Sequence, residues 1–461
     1  MVLKDKGGNM KDKKWLTFSE SVLVEYEQSK DEGRLVDSYA SDLVYINENY
    51  QKGILMEKEA ACLFQKIRSA PISDNYIYKE PSDLDGIRKL CTKVIQKDSS
   101  MKIEKENLKQ KIYGAWLGRC AGCLLGQPIE GWYRARIEGF MRDTDNYLPR
   151  TYLSSNVSDD IRKKYSITDE GHVYGSSFIN WINNIKCAPE DDDTNYTIIG
   201  LKTLEENGKD FTSVDIAHSW LMNMQFLHAC TAERVAYRNF ANLIDPPESA
   251  DFNNAYREWI GAQIRADIFG YVNPGNIESA AEMAWRDARI SHTKNGIYGE
   301  MFVAAMLSKA AVCNDIQTII EAGLSQIPST SRLYAAIQQV FEWKRSGMDW
   351  RSAIDKIHLL YDETKPHHWC HTIPNAMICV ISLLWGQGDF TQTIGISVVA
   401  GFDTDCNGAT TGSVIGMMIG AENLPATWIT PLNNTLKSGI DGFNIIKISE
   451  LAERSLIIAL K

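Results

Sequence analysis

Two stretches of sequence, GAWLGRCAGCLLGQPIE (Gly114–Glu130) and GFDTDCNGATTGSVIGMMIG (Gly401–Gly420), decide the fold. Both repeat a glycine at every fourth position: Gly114, Gly118, Gly122 and Gly126 in the first, and Gly408, Gly412, Gly416 and Gly420 in the second. Glycine inside a helix costs about 1 kcal/mol relative to alanine, so its repetition needs an offsetting gain. A period of four lines the glycines along one helix face, which lets another helix approach closely. The pattern predicts two tightly packed core helices.

Most of the remaining chain has helical periodicity. Apolar residues recur three and four apart, which is typical of amphipathic helices, in segments such as 214–227, 277–288, 298–312, 334–346 and 391–400. No alternating run bounded by hairpin turns is long enough to predict a sheet. The sequence therefore predicts an all-α fold.

Residues 1–105 differ in composition from the rest. They are rich in Lys, Glu, Asp and Ser, and the charged stretch 97–111 leads into the first glycine helix. We expect a helical N-terminal extension over residues 1–105, acting as a linker or cap without chemistry of its own, and a main domain over residues 106–461.

Composition narrows the class of protein. A formal charge of −10 argues against a general nucleic-acid binder, which usually has a basic face. The basic N-terminus is followed by no apolar run, so no secretory signal is expected. The longest apolar stretch, Ala376–Trp385, is about half of what a membrane helix needs. Ten cysteines without disulfide-like clustering favour reduced thiols in a cytoplasm.

Five aspartates stand in two clusters, each just before a helical run: Asp191, Asp192 and Asp193 in one, Asp403 and Asp405 in the other. Helix capping explains one or two of them. The others would repel one another unless a cation lay between them. All-oxygen ligands suit Mg²⁺, Mn²⁺ or Ca²⁺. The clusters therefore predict a metal site, with paired helix caps as the alternative.

Glu130 is a third acidic candidate. Pro128 should end the first glycine helix and leave Glu130 in the following turn. If the two glycine helices pack antiparallel, the end of the first lies beside the start of the second. We therefore predict that Glu130 lies next to Asp403 and Asp405.

The ordered motifs resemble the ADP-ribosylglycohydrolases, including the ADP-ribosyl-arginine and dinitrogenase-reductase-activating hydrolases. The resemblance runs from about residue 109 to about residue 428. Its motifs are GxxxGDxxGxxxE, matched by Gly118–Glu130; Ser/Thr-Asp-Asp-Thr, matched by Asp191–Thr194; Thr-His, matched by Ser291-His292; and Gly-Gly-Asp-Thr-Asp-Thr with a small-residue helix, matched by Ala400–Gly420.

The resemblance implies an orthogonal all-α bundle with a two-Mg²⁺ centre (Mn²⁺ being the alternative ion) in residues 106–461. It implies metal ligands at Asp192, Asp193, Asp403 and Asp405, joined here by Asp191, and a catalytic glutamate at Glu130. Asp193 and Asp405 are predicted to share in catalysis. The metals would hold the ribose hydroxyls while water attacks the anomeric carbon.

Several positions depart from the family pattern. Asp191 replaces a Ser/Thr ligand, Cys406 replaces a Thr, and Cys123 replaces the helix Asp. The glycine-rich loop that holds the diphosphate in the family corresponds to residues 259–265 here, where Trp259 and Ile260 replace small residues. Its backbone nest for phosphate is therefore in question. Trp259, Arg265 and Asp267 become candidates for contacting whatever replaces ADP, with buried packing as the alternative for each.

Two histidine-containing segments are further candidates. His292 precedes a helix start at Gly296 and Tyr298, which we predict to face an anionic part of the substrate. A hydrogen-bonded structural histidine is the alternative. The run from His367 to His371 contains ligand-type residues, and a substrate-facing histidine is favoured there over a metal site.

Three functions remain open at this point. The first is release of ADP-ribose from a modified side chain or small acceptor by a two-metal glycohydrolase. The second keeps the reaction but shortens the substrate to a nucleoside or small N-riboside, which the altered loop favours. The third is a binding or structural protein without turnover. A small-molecule or ADP-ribosylated substrate is expected, with no nucleic-acid or membrane partner, and the oligomeric state is left open.

Overall fold

A computed structural model describes residues 13–92, 103–173 and 176–461. In its described residues, 13–92 and 103–105, the N-terminal extension has the α-helices α1 (Phe18–Asp31), α2 (Ala40–Gln51), α3 (Glu57–Arg68) and α4 (Leu84–Leu90). The next part contains α5 (Lys105–Gly126), α6 (Arg134–Asp143), α7 (Asp159–Lys164), α8 (Asp192–Asn207), α9 (Ser213–Asn223), α10 (Thr231–Ala241), α11 (Glu248–Asp251), α12 (Asp267–Tyr271) and α13 (Ile277–Ala288).

The C-terminal part contains α14 (Lys294–Ala310), α15 (Ile316–Leu324), α16 (Arg332–Arg345), α17 (Trp350–Leu360), α18 (Pro366–Cys370), α19 (Thr372–Gly386), α20 (Phe390–Val399), α21 (Thr404–Ile419), α22 (Ala426–Ile429) and α23 (Ile448–Ala459). Two antiparallel hairpins pair β1 (Glu170–Val173) with β2 (Ser176–Phe178) and β3 (Thr435–Lys437) with β4 (Ile445–Lys447). The all-α prediction is confirmed, and these short hairpins are the departure from it.

The glycine helices α5 and α21 form the centre of the molecule. Every residue from Gly114 to Gly126 and from Thr404 to Met418 is buried. Helices α14, α19 and α20 pack against α21, and α23 packs against α5. The core is therefore built outward from this pair.

The two helices run antiparallel with the glycines in register. A Cβ atom added at Gly114, Gly118 or Gly122 would collide with a backbone carbonyl oxygen of the opposite helix, in the pairs Gly114–Gly416, Gly118–Gly412 and Gly122–Gly408. At the end of α5, Gly126 lies against the backbone of Thr404. The prediction of close helix packing is confirmed, because only glycine leaves room for this backbone contact.

The N-terminal extension packs against the main domain through buried ion pairs. Glu25 on α1 and Glu32, the residue directly after α1, contact the Arg257 guanidinium at 2.6 and 2.8 Å. Glu80 contacts Arg332 at 2.8 Å. These groups lie in the interior, where an unpaired charge is strongly unfavourable. The extension is therefore an integral layer of the described structure. None of the described helices has the length and apolarity to cross a membrane.

Replacing Gly122 with alanine tests the helix contact. The added methyl would meet the Gly408 carbonyl, and backbone atoms cannot move aside unless the helices separate. We expect Gly122→Ala to lower the free energy of unfolding by about 3 kcal/mol or more, measured by urea denaturation. Gly395→Ala is the matched control in α20, because its Cβ would meet only side-chain atoms, the nearest 3.3 Å away. Its change should stay below about 1 kcal/mol, and equal losses would contradict this account of the interface.

Candidate functional site

The register of α5 and α21 determines where the acidic clusters meet. The last turn of α5 lies beside Thr404, the first residue of α21. The chain leaves α5 through a 3₁₀ turn over Gln127–Ile129 and places Glu130 directly after it. Carboxylate oxygens of Glu130, Asp403 and Asp405 lie within 4.8 Å of one another. The predicted neighbourhood of Glu130 is therefore found in the structure.

Helix α8 brings the other cluster to the same place. One ligand atom each from Cys123, Asp191 and Asp193 lies within 4.8 Å of the others, and so does a second group formed by Asp193, Asp405 and Cys406. Asp193 and Asp405 are each shared between two such groups. The two acidic motifs thus converge on one continuous carboxylate cluster, defined here as Asp191, Asp193, Asp403, Asp405 and Glu130.

Helix capping accounts for only part of this cluster. Asp191 is the N-cap of α8, and its Oδ1 accepts a hydrogen bond from the Asp193 backbone N–H at 3.0 Å. Asp403 holds the equivalent position before α21, yet its side chain makes no capping bond. Capping therefore explains Asp191 and leaves Asp403 free for another role.

Burial makes the cluster electrostatically unfavourable as it stands. The four aspartates of the cluster are at most 4% exposed. Burial raises the pKa of Asp191 to about 7, with Asp405 adding to it, and raises the pKa of Asp405 to about 6. Burial also raises the pKa of Asp193 and of Asp403 well above the ordinary range. Negative charge here needs a compensating positive charge.

Two carboxylate oxygens of the cluster lack a hydrogen-bond partner in the described part of the chain. Oδ2 of Asp193 and Oδ1 of Asp405 are buried and have no hydrogen-bond partner. Buried polar atoms normally find a partner, so each such exception calls for an explanation. A hard divalent cation with oxygen ligands would satisfy both atoms. Glu130, in contrast, is exposed, and the charge of Asp405 raises its pKa well above the ordinary value.

Arg119 lies beneath the cluster and was not predicted as a site residue. Its fully buried guanidinium pairs with Asp193 Oδ1 at 3.1 Å and with Asp267 Oδ2 at 2.9 Å. It also donates to the backbone oxygens of Asp193 and Ile264. The sequence feature that points to this role is a charged residue within an otherwise apolar, glycine-rich helix. Arg119 pairs with Oδ1 of Asp193, whereas Oδ2 has no hydrogen-bond partner among the described residues. Asp267, a candidate substrate contact with buried packing as the alternative, is a buried partner of Arg119.

Gln127 is a second residue that sequence reasoning missed. Its Nε2 donates to Asp191 Oδ2 at 2.6 Å, and its Oε1 accepts from Asn180 at 3.0 Å. This chain fixes the orientation of the Asp191 carboxylate. The signal for Gln127 was its position one residue after the last glycine of α5.

Two cysteine thiols adjoin the carboxylates. Burial raises the pKa of Cys123 and of Cys406 well above the ordinary thiol value, and the nearby aspartates add to the effect. Both are therefore neutral thiols at physiological pH. A neutral thiol is a poor ligand for a hard cation, so the carboxylates carry the metal-binding capacity.

The loop at residues 259–265 is closed against a ligand. A Cβ at Gly261 would collide with the Glu233 carboxylate, so an acidic side chain lies directly on this glycine. Trp259 is buried and donates its indole N–H to His367 Nδ1 at 3.1 Å. An anion cannot approach a backbone nest that a carboxylate already covers. Trp259, predicted as a substrate contact, packs in the interior.

Arg265 also lies in the interior. Its guanidinium pairs with Glu233 at 3.0 Å and Glu300 at 3.5 Å, and makes a shorter contact with Asp287. With 1% of its surface exposed it has no access to solvent. Its predicted contact with a substrate is not observed, because three carboxylates occupy its donors.

The start of α14 is covered by the N-terminal extension. The Lys294 backbone N–H donates to Ser82 Oγ at 3.1 Å, and the Tyr298 hydroxyl donates to the Pro81 carbonyl at 2.5 Å. Gly296 and His292 are buried beside them. The prediction that this helix start faces an anionic ligand is corrected: the Lys294 and Tyr298 donors meet the extension, and the Gly296 backbone N–H donates to the Thr293 carbonyl. The hydrogen-bonded alternative for His292 fits, since Nδ1 contacts Ser291 Oγ at 2.8 Å.

The cluster of Asp31, His367 and His371 is arranged for hydrogen bonding and not for a metal. His367 Nδ1 accepts from the Trp259 indole, and His371 Nδ1 accepts from the Ile373 backbone at 3.1 Å. A neutral imidazole that accepts at Nδ1 carries its proton on Nε2. The two Nε2 atoms face Asp31 at 3.0 Å and Glu258 at 3.7 Å. Neither ring has a lone pair left for an ion.

The pairing of Arg119 with Asp193 predicts a metal-dependent stability. Arg119→Met leaves Asp193 buried without its cation, which costs about 3–5 kcal/mol. Saturating Mn²⁺ should recover part of that loss by binding the same carboxylate, whereas EDTA should not. Unfolding by denaturant measures both.

Arg265→Met is the matched control, since it breaks a buried ion-pair cluster built on other carboxylates, those of Glu233, Asp287 and Glu300. Its loss should be equal with Mn²⁺ and with EDTA. An equal loss for Arg119→Met in the two conditions would argue against a cation at Asp193.

Comparisons with known proteins agree with the motifs. Residues 104–459 match the ADP-ribosylglycohydrolase family. Among solved structures, an "ADP-ribosylglycohydrolase-related protein complex" aligns with 77% of this chain and 99% of its own, at 16% identity and a TM-score of 0.47. No match is found among curated proteins. Because the family match spans well over half of the sequence, this chain belongs to the ADP-ribosylglycohydrolase family.

Proposed function

We propose that this protein is a metal-dependent glycohydrolase that cleaves an N- or O-glycosidic bond to the ribose of ADP-ribose. Family membership supports a glycohydrolase. The observation that carries the finer proposal is the buried carboxylate cluster, in which unpartnered oxygens of Asp193 and Asp405 adjoin the exposed Glu130. In this proposal the buried aspartates bind the cation, and the exposed Glu130 exchanges protons with the substrate.

The proposed metal ligands are Asp192, Asp193, Asp403 and Asp405, which supply enough carboxylates for two Mg²⁺ or Mn²⁺ ions. When bound, such ions supply Lewis-acid chemistry that holds ribose hydroxyls and lowers the pKa of water. Asp191 adds a fifth carboxylate. Both of its oxygens already accept a hydrogen bond, from Asp193 and from Gln127, so its geometry is fixed before a cation arrives.

Glu130 is the proposed acid–base residue. It is exposed, whereas Asp403 and Asp405 beside it are buried, so its carboxyl can reach a substrate above the cluster. In glycoside cleavage, a carboxyl group exchanges a proton with the leaving atom or with water while the sugar gains oxocarbenium character. Glu130 would move that proton, and the buried aspartates would stabilise the developing positive charge on the ribose.

The second candidate is hydrolysis of a nucleoside or another small N-riboside. The Glu233 carboxylate on Gly261 favours it, because a carboxylate at that point repels a substrate diphosphate. A binding protein without turnover is the third candidate. A binding protein would also hold metal, so metal stoichiometry identifies this candidate only when an activity measurement shows no turnover.

A substrate panel tests the proposed function. ADP-ribosyl conjugates and plain nucleosides are incubated with Mg²⁺, Mn²⁺ or EDTA, and released products are separated by chromatography. We expect cleavage of the conjugates that EDTA abolishes. Asp403→Asn should lower kcat/KM by roughly a hundredfold or more, because it removes a charged ligand.

Asp389→Asn is the matched control for that variant. Asp389 is an exposed N-cap of α20 that accepts from Gln392, and asparagine caps equally well. Its activity should equal that of the wild type. Cleavage of nucleosides alone would select the second candidate, and no turnover with metal bound would select the third.

Glu130→Gln separates proton transfer from metal binding. We expect kcat to fall roughly 10²- to 10⁴-fold, the usual contribution of general acid–base catalysis. The affinity for Mn²⁺, measured by calorimetry, should change far less, because Asp193, Asp403 and Asp405 remain. A comparable loss of Mn²⁺ binding would reassign Glu130 from proton transfer to metal ligation.

A further inference from the structure

A cleft lies where the N-terminal extension meets helices α16 to α19 of the main domain. Its volume is about 320 Å³, a size that suits a small molecule. We call it the junction cleft, and its walls include Asp31, Tyr78, Arg332, Tyr361, His371 and Met377. The first two belong to the extension, and the other four lie on or between α16 and α19. None of the described residues that line it belongs to the carboxylate cluster.

Arg332 brings an unsatisfied donor to the wall of the cleft. Its side chain is only 10% exposed, and its Nη2 contacts Glu80 Oε2 at 2.8 Å and Glu258 Oε2 at 2.7 Å. Its Nη1 is buried and has no hydrogen-bond partner in the described part of the chain. Buried polar atoms nearly always have a partner, so this exception calls for an acceptor from outside the protein.

His371 brings a second unsatisfied donor to the same wall. Its Nδ1 accepts from the Ile373 backbone N–H at 3.1 Å, so the neutral ring carries its proton on Nε2. Nε2 lies 3.7 Å from Glu258 Oε2, which is too far for a hydrogen bond, and no other described residue accepts from it. Because Arg332 contacts that same oxygen of Glu258, the two unsatisfied donors are neighbours.

The charges around the cleft favour an uncharged ligand. The Arg332 guanidinium is already paired with two carboxylates, those of Glu80 and Glu258. Asp31 adds a third carboxylate to the wall, 40% exposed and 3.0 Å from His367 Nε2. A phosphate or carboxylate ligand would therefore meet more negative than positive charge. An uncharged carbonyl oxygen satisfies the two donors without that repulsion.

The other walls of the cleft are largely apolar or aromatic. Tyr78 and Tyr361 contribute phenol rings, and Leu360, Ile373 and Met377 contribute aliphatic or thioether side chains. A flat ring buries its apolar surface well against such side chains. Apolar walls with a few polar groups that fix orientation are typical of small-molecule sites.

We propose that the junction cleft binds a small, uncharged, planar molecule that carries a carbonyl acceptor beside an N–H donor, as an aromatic carboxamide does. The carbonyl oxygen would accept from Arg332 Nη1 and His371 Nε2, and the N–H would donate to Asp31. Since both the extension and the main domain line the cleft, the bound molecule would connect the two. This inference does not depend on the proposed glycohydrolase activity, so either can fail while the other stands.

Two probes of equal shape test the class of ligand on the full chain. Benzamide has the carbonyl and the N–H, whereas benzoate replaces the amide with a negative charge. We expect NMR titration to give a Kd on the order of 1 mM for benzamide, as suits a ligand of so few atoms. Benzoate should bind about tenfold more weakly or worse, because Asp31 repels it. Absence of benzamide binding, or tighter binding of benzoate, would overturn the inference.

Ala336→Leu tests whether the probe binds in the cleft. Ala336 lines the cleft on α16, so the larger side chain occupies ligand space and leaves every ion pair in place. We expect it to raise the Kd of benzamide about tenfold or more. Gln338→Leu is the matched control, because it puts the same side chain on the same helix outside the lining. Its Kd should match that of the wild type, and equal Kd values for the two variants would overturn the site.

Arg332→Lys tests the unsatisfied donor. Lysine keeps the positive charge beside Glu80 and Glu258 but has no equivalent of Nη1. We expect the Kd of benzamide to rise about fivefold, the effect of one lost hydrogen bond. Thermal unfolding without probe shows whether the variant is folded, and an unchanged Kd in a folded variant would contradict the role of Arg332. Should this variant not fold, the comparison of Ala336→Leu with Gln338→Leu still decides the site.

Discussion

The direct contact between the backbones of α5 and α21 is the constraint on which the rest of the structure depends. Carbonyl oxygens of one helix lie where side chains of the other would stand, and this is possible only because glycines face glycines. Such a contact has a defined register, in which Gly126 meets Thr404. The register places the end of one helix, with Glu130 after it, beside the start of the other, with Asp403 and Asp405. The positions of these acidic residues therefore follow from a contact between two helix backbones, in which no side chain takes part.

The parts of this arrangement that follow from local patterns could be predicted from the sequence. The four-residue glycine period predicts the helix contact, and acidic residues before two helical runs predict a shared cluster. The role of Arg119 could not be predicted, because its partners Asp193 and Asp267 lie 74 and 148 residues away. The same limit applies to α14: its start looks like an open anion site until Ser82, from a distant part of the chain, is found against it. Which buried donor meets which acceptor is a tertiary property that no local spacing encodes.

Charge balance links the carboxylate cluster to its surroundings. A single buried arginine lies under several carboxylates, so the cluster has a deficit of positive charge that a cation can correct. The buried group around Arg265 balances its charges differently. There, Glu233, Asp287 and Glu300 share one guanidinium. Burial raises the pKa of each of these carboxyls. All three of these carboxylates contact the guanidinium, whereas in the first cluster Asp193 pairs with Arg119. The difference matters because the first cluster adjoins the exposed Glu130, whereas the second is sealed.

The ion pairs that hold the extension have a consequence for how the chain is made. Glu25 precedes its partner Arg257 by 232 residues, and Glu80 precedes Arg332 by 252. A further 232 residues must therefore be synthesised after Glu25 before its buried carboxylate can pair with Arg257. Until then the faces of the extension that pack against the main domain lack the residues that cover them in the folded protein. Slow translation would prolong the time for which these faces are uncovered. Uncovered apolar surface favours aggregation, so the first helices are exposed to this risk until Arg257 and Arg332 have been synthesised.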